Sequence, residues 1–324
     1  MNLKILHNKH SNYFFLLTIF LCLLQFLIKI DTDQSWVWLT SFFLIMTIGV
    51  SHGGLDNLKG KKLFNKLKLK NSFLLFYLAY ISITILILVL WFNFGQLCLW
   101  AFLIIASYHF GKEDTPDELI LKNKNKNQLL IFLKYFAKGS TVIVMAFYFH
   151  FEETIGIFQF LSTDSYFLGF YEMNVAGLEF QKYIRRSLYF CILINIWGHI
   201  YLKSKKYWGS LLQDFLSVVF LNLIFQPFLA FTIYFCFLHS IRHSLLWSSK
   251  LFRKKRNLLK EFSIRSFPMT LITAIIFIIS VYFLSLAGGD LHVYVILVTF
   301  VGLASLTFPH ILLEYLLEKN EKRT

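Results

Sequence analysis

At 324 residues, with 57% hydrophobic and 15% charged side chains and a mean hydropathy of +0.60, the chain is too apolar for a water-soluble globule. Its 32 Lys and Arg against 18 Asp and Glu give a net charge of +14, but the basic residues sit between apolar runs, which points to a membrane and away from nucleic acid. Cys22, Cys98, Cys191 and Cys236 all lie inside apolar runs without CxxC spacing, so neither a disulfide framework nor a thiolate metal site is indicated.

A spanning helix needs about 20 mostly apolar residues. Windows of that kind occur at 13–30, 35–52, 72–92, 94–110, 130–149, 186–202, 210–226, 228–246, 266–286 and 291–312. They predict an all-α, polytopic transmembrane helical bundle of about eight to ten spans, in one integral membrane domain covering 1–324. The first window is expected to be retained, because no small-residue cleavage site follows Ile30 and another apolar run begins almost at once. Gln226–Pro227 is where the long run 210–246 is expected to break rather than merely kink. With the N-terminus inside, 25 of the 29 Lys and Arg assigned to loops fall on one side, so both termini are expected to be cytoplasmic. The largest opposite loop, 150–185, is aromatic through Phe158, Phe160, Tyr166, Phe167, Phe170 and Tyr171 and is expected to lie partly in the interface.

Ionisable residues within spans are expensive and are functional candidates by default. On this topology His52, His109, His239 with His243, and His310 all approach one cytoplasmic edge, carried by separate spans, with His199 on the same side. His239-Ser-Ile-Arg-His243 is an HxxxH pair whose rings point the same way on a helix, within reach of one metal ion. Alone the pair is a weak signal; with His52 and His109 at matching depth it becomes a candidate metal site. Neutral imidazoles without cysteine suit a borderline first-row ion, and octahedral iron(II) with four of them keeps two positions open.

Carboxylates stand at helical spacing beside these residues: Asp56 after His52, and Glu113 and Asp114 after His109. They are candidates to fix the ring of a ligand or of its neighbour, against the plainer reading of solvated charges at a span end. Gly53, Gly54 and Gly111 suit either a close backbone approach or a helix cap. His310 has Glu314 one turn beyond it and reads as an orienting or substrate-side residue. His7 and His10 in the N-terminal tail, and His150 and His292 at outside ends, read as solvated.

SHGGLDNLKGKKL, ASYHFGKEDT, YFCFLHSIRH and FPHILLE, taken together and in order over about 45–315, resemble the successive blocks of the bacterial β-carotene 15,15′-dioxygenase family of the Brp/Blh type, found beside microbial rhodopsins. The resemblance implies a cell-membrane oxygenase that uses Fe(2+) and O₂ to split β-carotene at its central double bond into two retinal molecules, which would pass to a rhodopsin. It also implies iron ligands at His52, His109, His239 and His243, with no other side chain as acid or base. A C40 polyene is about as long as the bilayer core is thick, ~30 Å, so such an enzyme gains by drawing it from the lipid. Other readings fit less well. The HxxHH box of membrane di-iron enzymes is missing, and position 240 is Ser where a metalloprotease HExxH motif needs Glu. A multi-span metal or proton transporter, the non-enzyme alternative, calls for polar groups near the midplane and internal repeats, neither of which the sequence offers.

Overall fold

In the computed structural model, residues 3–32, 34–66, 71–116, 127–162, 174–202, 205–252 and 257–321 are described. Among them there is no strand, and every apolar window of the sequence falls on helix. The first helices are α1 (Leu3–Ile28), α2 (Ser35–Leu44), α3 (Asp56–Lys66), α4 (Ser72–Asn93) and α5 (Gly95–Glu113). They are followed by α6 (Gln128–Phe149), α7 (Phe151–Ser162), α8 (Asn174–Tyr201) and α9 (Trp208–Ile224). The last four are α10 (Pro227–Ile233), α11 (Ile241–Leu251), α12 (Leu258–Ser285) and α13 (Leu291–Glu321).

Among the described residues, seven helical stretches are long and apolar enough to cross a membrane: Lys4–Ile28, Ser35–Lys66, Phe73–Asn93, Gln128–Phe149, Pro227–Leu251, Leu258–Ser285 and Leu291–Asn320. The other three windows lie on α5, α8 and α9, which are helical but shorter or more polar. Tyr166, Phe167, Phe170 and Tyr171 of the aromatic loop lie outside the described residues. The outward faces are apolar, as lipid contact requires: Leu78, Ile81 and Ile85 of α4 and Ile272, Ile276 and Ile279 of α12 are all exposed.

Local sequence sets the breaks. Gln226 holds ψ at 156°, as a residue before proline prefers, and Pro227 starts α10 with its ring at the first helical turn, where no amide hydrogen is needed. The long run 210–246 is therefore two helices. Asn127 and Asn257 cap α6 and α12, each side chain accepting from a backbone N–H two or three residues on. Gly288 and Gly289, at φ of 79° and 116°, make the turn from α12 to α13, a left-handed conformation open to glycine. Pro309 neither begins nor ends a helix; α13 runs through it.

Two irregular segments interrupt otherwise continuous spans. Between α2 and α3 the chain passes through a π-helical stretch, Ile45–Gly49, and a 3₁₀ stretch, Val50–Leu55; between α10 and α11 it passes through a π-helical stretch, Tyr234–Ser240. Such departures from the α-helix re-aim side chains and recur at functional sites. Here they carry His52 and His239.

α5 and α6 cross as closely as backbones allow. A Cβ on Gly111 would lie 1.8 Å from the Tyr135 carbonyl oxygen, and one on Gly139 would lie 1.8 Å from that of Ser107. These pairings run in opposite directions along the two helices, so α5 and α6 are antiparallel and joined through small residues. Gly54 serves a similar contact, its absent Cβ 2.6 Å from Ser266 Cβ on α12. Gly54 and Gly111 are thus sites of close approach and not helix caps, while a Cβ on Gly53 would meet nothing nearer than 3.7 Å. We predict that Gly111→Ala lowers stability by about 1–3 kcal/mol through overpacking, whereas Gly156→Ala, with nothing within 4 Å of its added carbon, leaves the melting temperature of the detergent-solubilised protein unchanged or higher.

Candidate metal centre

Five histidines from four stretches of the chain meet in the interior. His52 comes from the 3₁₀ segment after α2, His109 from the end of α5, His239 and His243 from the α10–α11 span, and His310 from α13. The His52 ring centroid lies 5.5, 5.3 and 5.1 Å from those of His239, His243 and His310. That of His109 lies 5.4 Å from both His239 and His310, and 6.3 Å from His243. The four histidines singled out in the sequence are therefore brought together, and His310, read there as an orienting or substrate-side residue, stands among them.

Four of the five rings are aimed by a hydrogen-bonding partner. His52 Nδ1 donates to the Gly49 carbonyl at 2.5 Å, which leaves Nε2 as its acceptor. His310 Nδ1 lies 2.7 Å from Asp56 Oδ2, and His239 Nδ1 lies 3.3 Å from Asp114 Oδ1. His243 Nε2 lies 2.8 Å from Glu314 Oε1. The remaining nitrogens, His109 Nε2, His239 Nε2, His243 Nδ1 and His310 Nε2, are buried without a hydrogen-bond partner. Buried polar atoms are seldom left so, and several imidazole nitrogens orphaned around one point fit a metal ion. Ligand atoms of His52, His109 and His310 all lie within 4.8 Å of one another, as do those of His243, His310 and Glu314.

A second layer of charge holds the carboxylates. Lys59, fully buried, lies 2.7 Å from Glu314 and 3.2 Å from Asp56, and the Tyr80 hydroxyl donates to Asp56 at 3.1 Å. On the other side the Tyr234 hydroxyl donates to Asp114 at 2.7 Å, and the Lys138 ammonium and Arg242 guanidinium reach the Asp114 backbone carbonyl. Arg242 grips Asp214 through two hydrogen bonds of 2.7 and 2.9 Å and donates at 2.8 Å to Ser11 of α1. Paired, bidentate contacts are what make such charges tolerable away from water.

Of the two alternatives for Asp56 and Asp114, a neighbour's ring is the one held: Asp56 holds His310 and Asp114 holds His239. Other expectations change. Glu113 lies 3.9 Å from His243 Nε2, beyond hydrogen-bond reach. Lys59, counted as a loop charge, is a buried ion-pair member. His7 and His10 belong to helix α1, and His7 is buried against Tyr207, not solvated. His150 bonds the Asn222 carbonyl at 2.8 Å, while His292 is exposed beside Trp38. His199 stays outside the centre, next to Trp208. Lys59, Tyr80, Tyr234 and Asp214 gave no sequence signal, since each is defined by a partner far along the chain; Glu314 was visible only as one turn beyond His310.

A cavity of about 50 Å³ reaches the centre at His52 and His310, lined otherwise by groups such as Val50, Tyr80, Met269 and Leu303.

With this geometry in hand, the comparisons place the chain. A profile of the β-carotene 15,15′-dioxygenase family matches residues 43–318, which contain all five histidines. The chain belongs to that family. A β-carotene 15,15′-dioxygenase from uncultured marine bacterium 66A03 is 24% identical over 297 residues, covering 86% of this chain and 94% of the relative. No solved structure matches. Helix α1, which supplies Ser11 to Arg242, lies before the matched residues.

The carboxylate contacts generate a prediction that separates orientation from mere charge. Asp56→Asn and Asp114→Asn should each weaken divalent-metal retention by roughly 10- to 100-fold, the usual effect of losing a group that orients a ligand ring. Glu152→Gln, in the exposed first turn of α7, should leave retention unchanged. Metal content after graded chelator dialysis measures all three.

Proposed function

We propose that this protein is a membrane-embedded, iron-dependent oxygenase that cleaves β-carotene at its 15,15′ double bond to give two molecules of retinal. The observation that carries the reading is the convergence of five imidazoles, four with an unpartnered buried nitrogen, inside a chain whose family membership supplies the substrate class.

His52, His109, His239 and His243 are the proposed Fe(2+) ligands, with His310 as a fifth imidazole on the same centre. Neutral ligands leave the ion its positive charge, and histidine suits iron among first-row metals. When bound, the iron supplies the O₂ activation that the reaction needs. The overall change is balanced without a further reductant: one C=C bond and one O₂ become two C=O groups.

The chain's own work is positional. Gly49 carbonyl, Asp56, Asp114 and Glu314 fix four of the rings in place before any substrate arrives. The apolar cleft at His52 and His310, about 50 Å³, has room for O₂ and keeps bulk water away from reactive species, and it has to open further to receive the polyene. No side chain is assigned as acid or base. The polyene is drawn from the bilayer, where it is concentrated by its insolubility. The transporter reading loses its ground with the family membership, and the centre's carboxylates are already engaged with Lys59, Arg242 and Tyr partners rather than strung along a path.

We further propose that α5, α8 and α9 also cross, giving ten spans in a bacterial inner membrane with both termini cytoplasmic. The asymmetry in loop Lys and Arg, 24 to 4 once the buried Lys59 is taken from the 25, supports this. A periplasmic phosphatase fused after Thr324 should be inactive; an active fusion contradicts an even number of spans.

The direct test is expression in cells that accumulate β-carotene. Loss of orange colour with appearance of retinal is expected from the parent, and neither from His52→Ala, His109→Ala, His239→Ala or His243→Ala. Each of these variants should also lose most of its bound iron. Near-parental iron content in two or more of them contradicts the assigned ligands, and retained colour with the parent protein present contradicts the activity.

A further inference from the structure

A second, larger chamber lies between α6, α8 and α9, with a volume of about 340 Å³, within the range of small-molecule pockets. None of the five histidines lines it; Asp114, Tyr234 and Leu238 form the wall on the side of the metal centre. It is therefore a separate site.

Its two ends differ. His199 and Trp208, at the end of α8 and the start of α9, mark one end, with Asn195 and Lys138 next to them; Val142, Ile192 and Val218 line the other. From Trp208 to Val218 the chamber follows ~15 Å of helix at 1.5 Å per residue. Ile196 and Leu212, both of which line it, are 48% and 57% exposed and face where lipid would lie. The chamber is thus an elongated apolar slot with a polar end near one membrane edge, open sideways.

Charge at the polar end is unbalanced. The two carboxylates in the wall are engaged, Asp114 by Tyr234 and His239 and Asp214 by Arg242. Lys138 gives one hydrogen bond to the Asp114 carbonyl. Lys134, one turn earlier on the same face of α6, lies outside the lining itself; it is 1% exposed, and its Nζ has no hydrogen-bond partner. Its stem crosses α8 at Gly198, where a Cβ would lie 2.6 Å from Lys134 Cγ, next to His199. Both lysines are within electrostatic reach of His199. A buried ammonium with no counter-charge is costly, and within a membrane more so.

We propose that this chamber binds an anionic phospholipid, with its phosphate against Lys134, Lys138 and His199 and an acyl chain running toward Val142, Ile192 and Val218. Basic pockets between spanning helices recognise anionic head groups in this way, and the lateral opening lets a lipid enter from the bilayer without crossing water. The phosphate supplies the charge that the folded chain leaves unmet.

Binding of phosphatidylglycerol, phosphatidylcholine and inorganic phosphate to protein purified in a neutral detergent tests this, with Lys134→Met as the variant. Phosphatidylglycerol should bind roughly 30-fold more tightly than phosphatidylcholine, the preference two lysines confer, and Lys134→Met should remove roughly fivefold of it. In neutral detergent alone the variant should melt no lower than the parent, because it loses only an unpartnered amine. Equal binding of the two lipids, or an unchanged preference in the variant, overturns the proposal. So does competition by inorganic phosphate at the same concentration as the lipid, which marks a free-anion site. A variant melting well below the parent overturns it too, since Lys134 would then have a structural partner.

Discussion

Within a bilayer no water is at hand to solvate an imidazole, a carboxylate or an ammonium, so every such group needs a partner, from the protein or from something bound to it. This constraint organises the interior. Five histidines are gathered at one point, and the groups that hold them form two chains of charge, Tyr80–Asp56–Lys59–Glu314 on one side and Tyr234–Asp114 with Lys138, Arg242 and Asp214 on the other. Each chain crosses between helices, so the polar groups that make the centre also fix how α3, α4 and α13, or α5, α6 and α9, sit against one another. Removing one member leaves its partners buried and unmet, which is why the network acts as a unit.

The backbone is adapted to the same end. Regular α-helices could not turn His52 and His239 toward a common point while keeping their apolar neighbours packed; the π and 3₁₀ stretches at 45–55 and 234–240 shift the register locally. Close crossings at Gly111–Gly139 and Gly54–Ser266 then bring the spans near enough for short side chains to meet. Helix α1 adds a clamp from outside the family-matched region, its Ser11 hydroxyl accepting from Arg242 Nη2.

What the sequence makes legible follows from the range of each signal. Hydrophobic runs report whether a residue meets lipid or core, and the windows at 13–30 through 291–312 all fell on helices. Depth along the spans brought out His52, His109, His239 and His243. Partner choice is different in kind. Asp56 lies one turn from His52 in sequence, yet the 3₁₀ turn rotates it to His310, 254 residues away. Lys59 reads as one more basic residue of a loop until Glu314 is seen beside it. His310 looked ambiguous because its company, unlike that of an HxxxH pair, lies on other helices. Periodicity carries no information about such contacts, and His7 and His10 show the same blind spot near a terminus, where a polar start concealed a packed helix.

The central claim is that these imidazoles form a single metal centre without sulfur and without a second ion. X-ray absorption at the iron edge of the reconstituted protein tests it directly. The account predicts a first shell of nitrogen and oxygen near 2.0–2.2 Å, outer-shell scattering of about five imidazole rings, and one iron per chain. A short iron–iron vector of about 3.5–4 Å, a sulfur shell, or scattering from two or fewer imidazoles would contradict it.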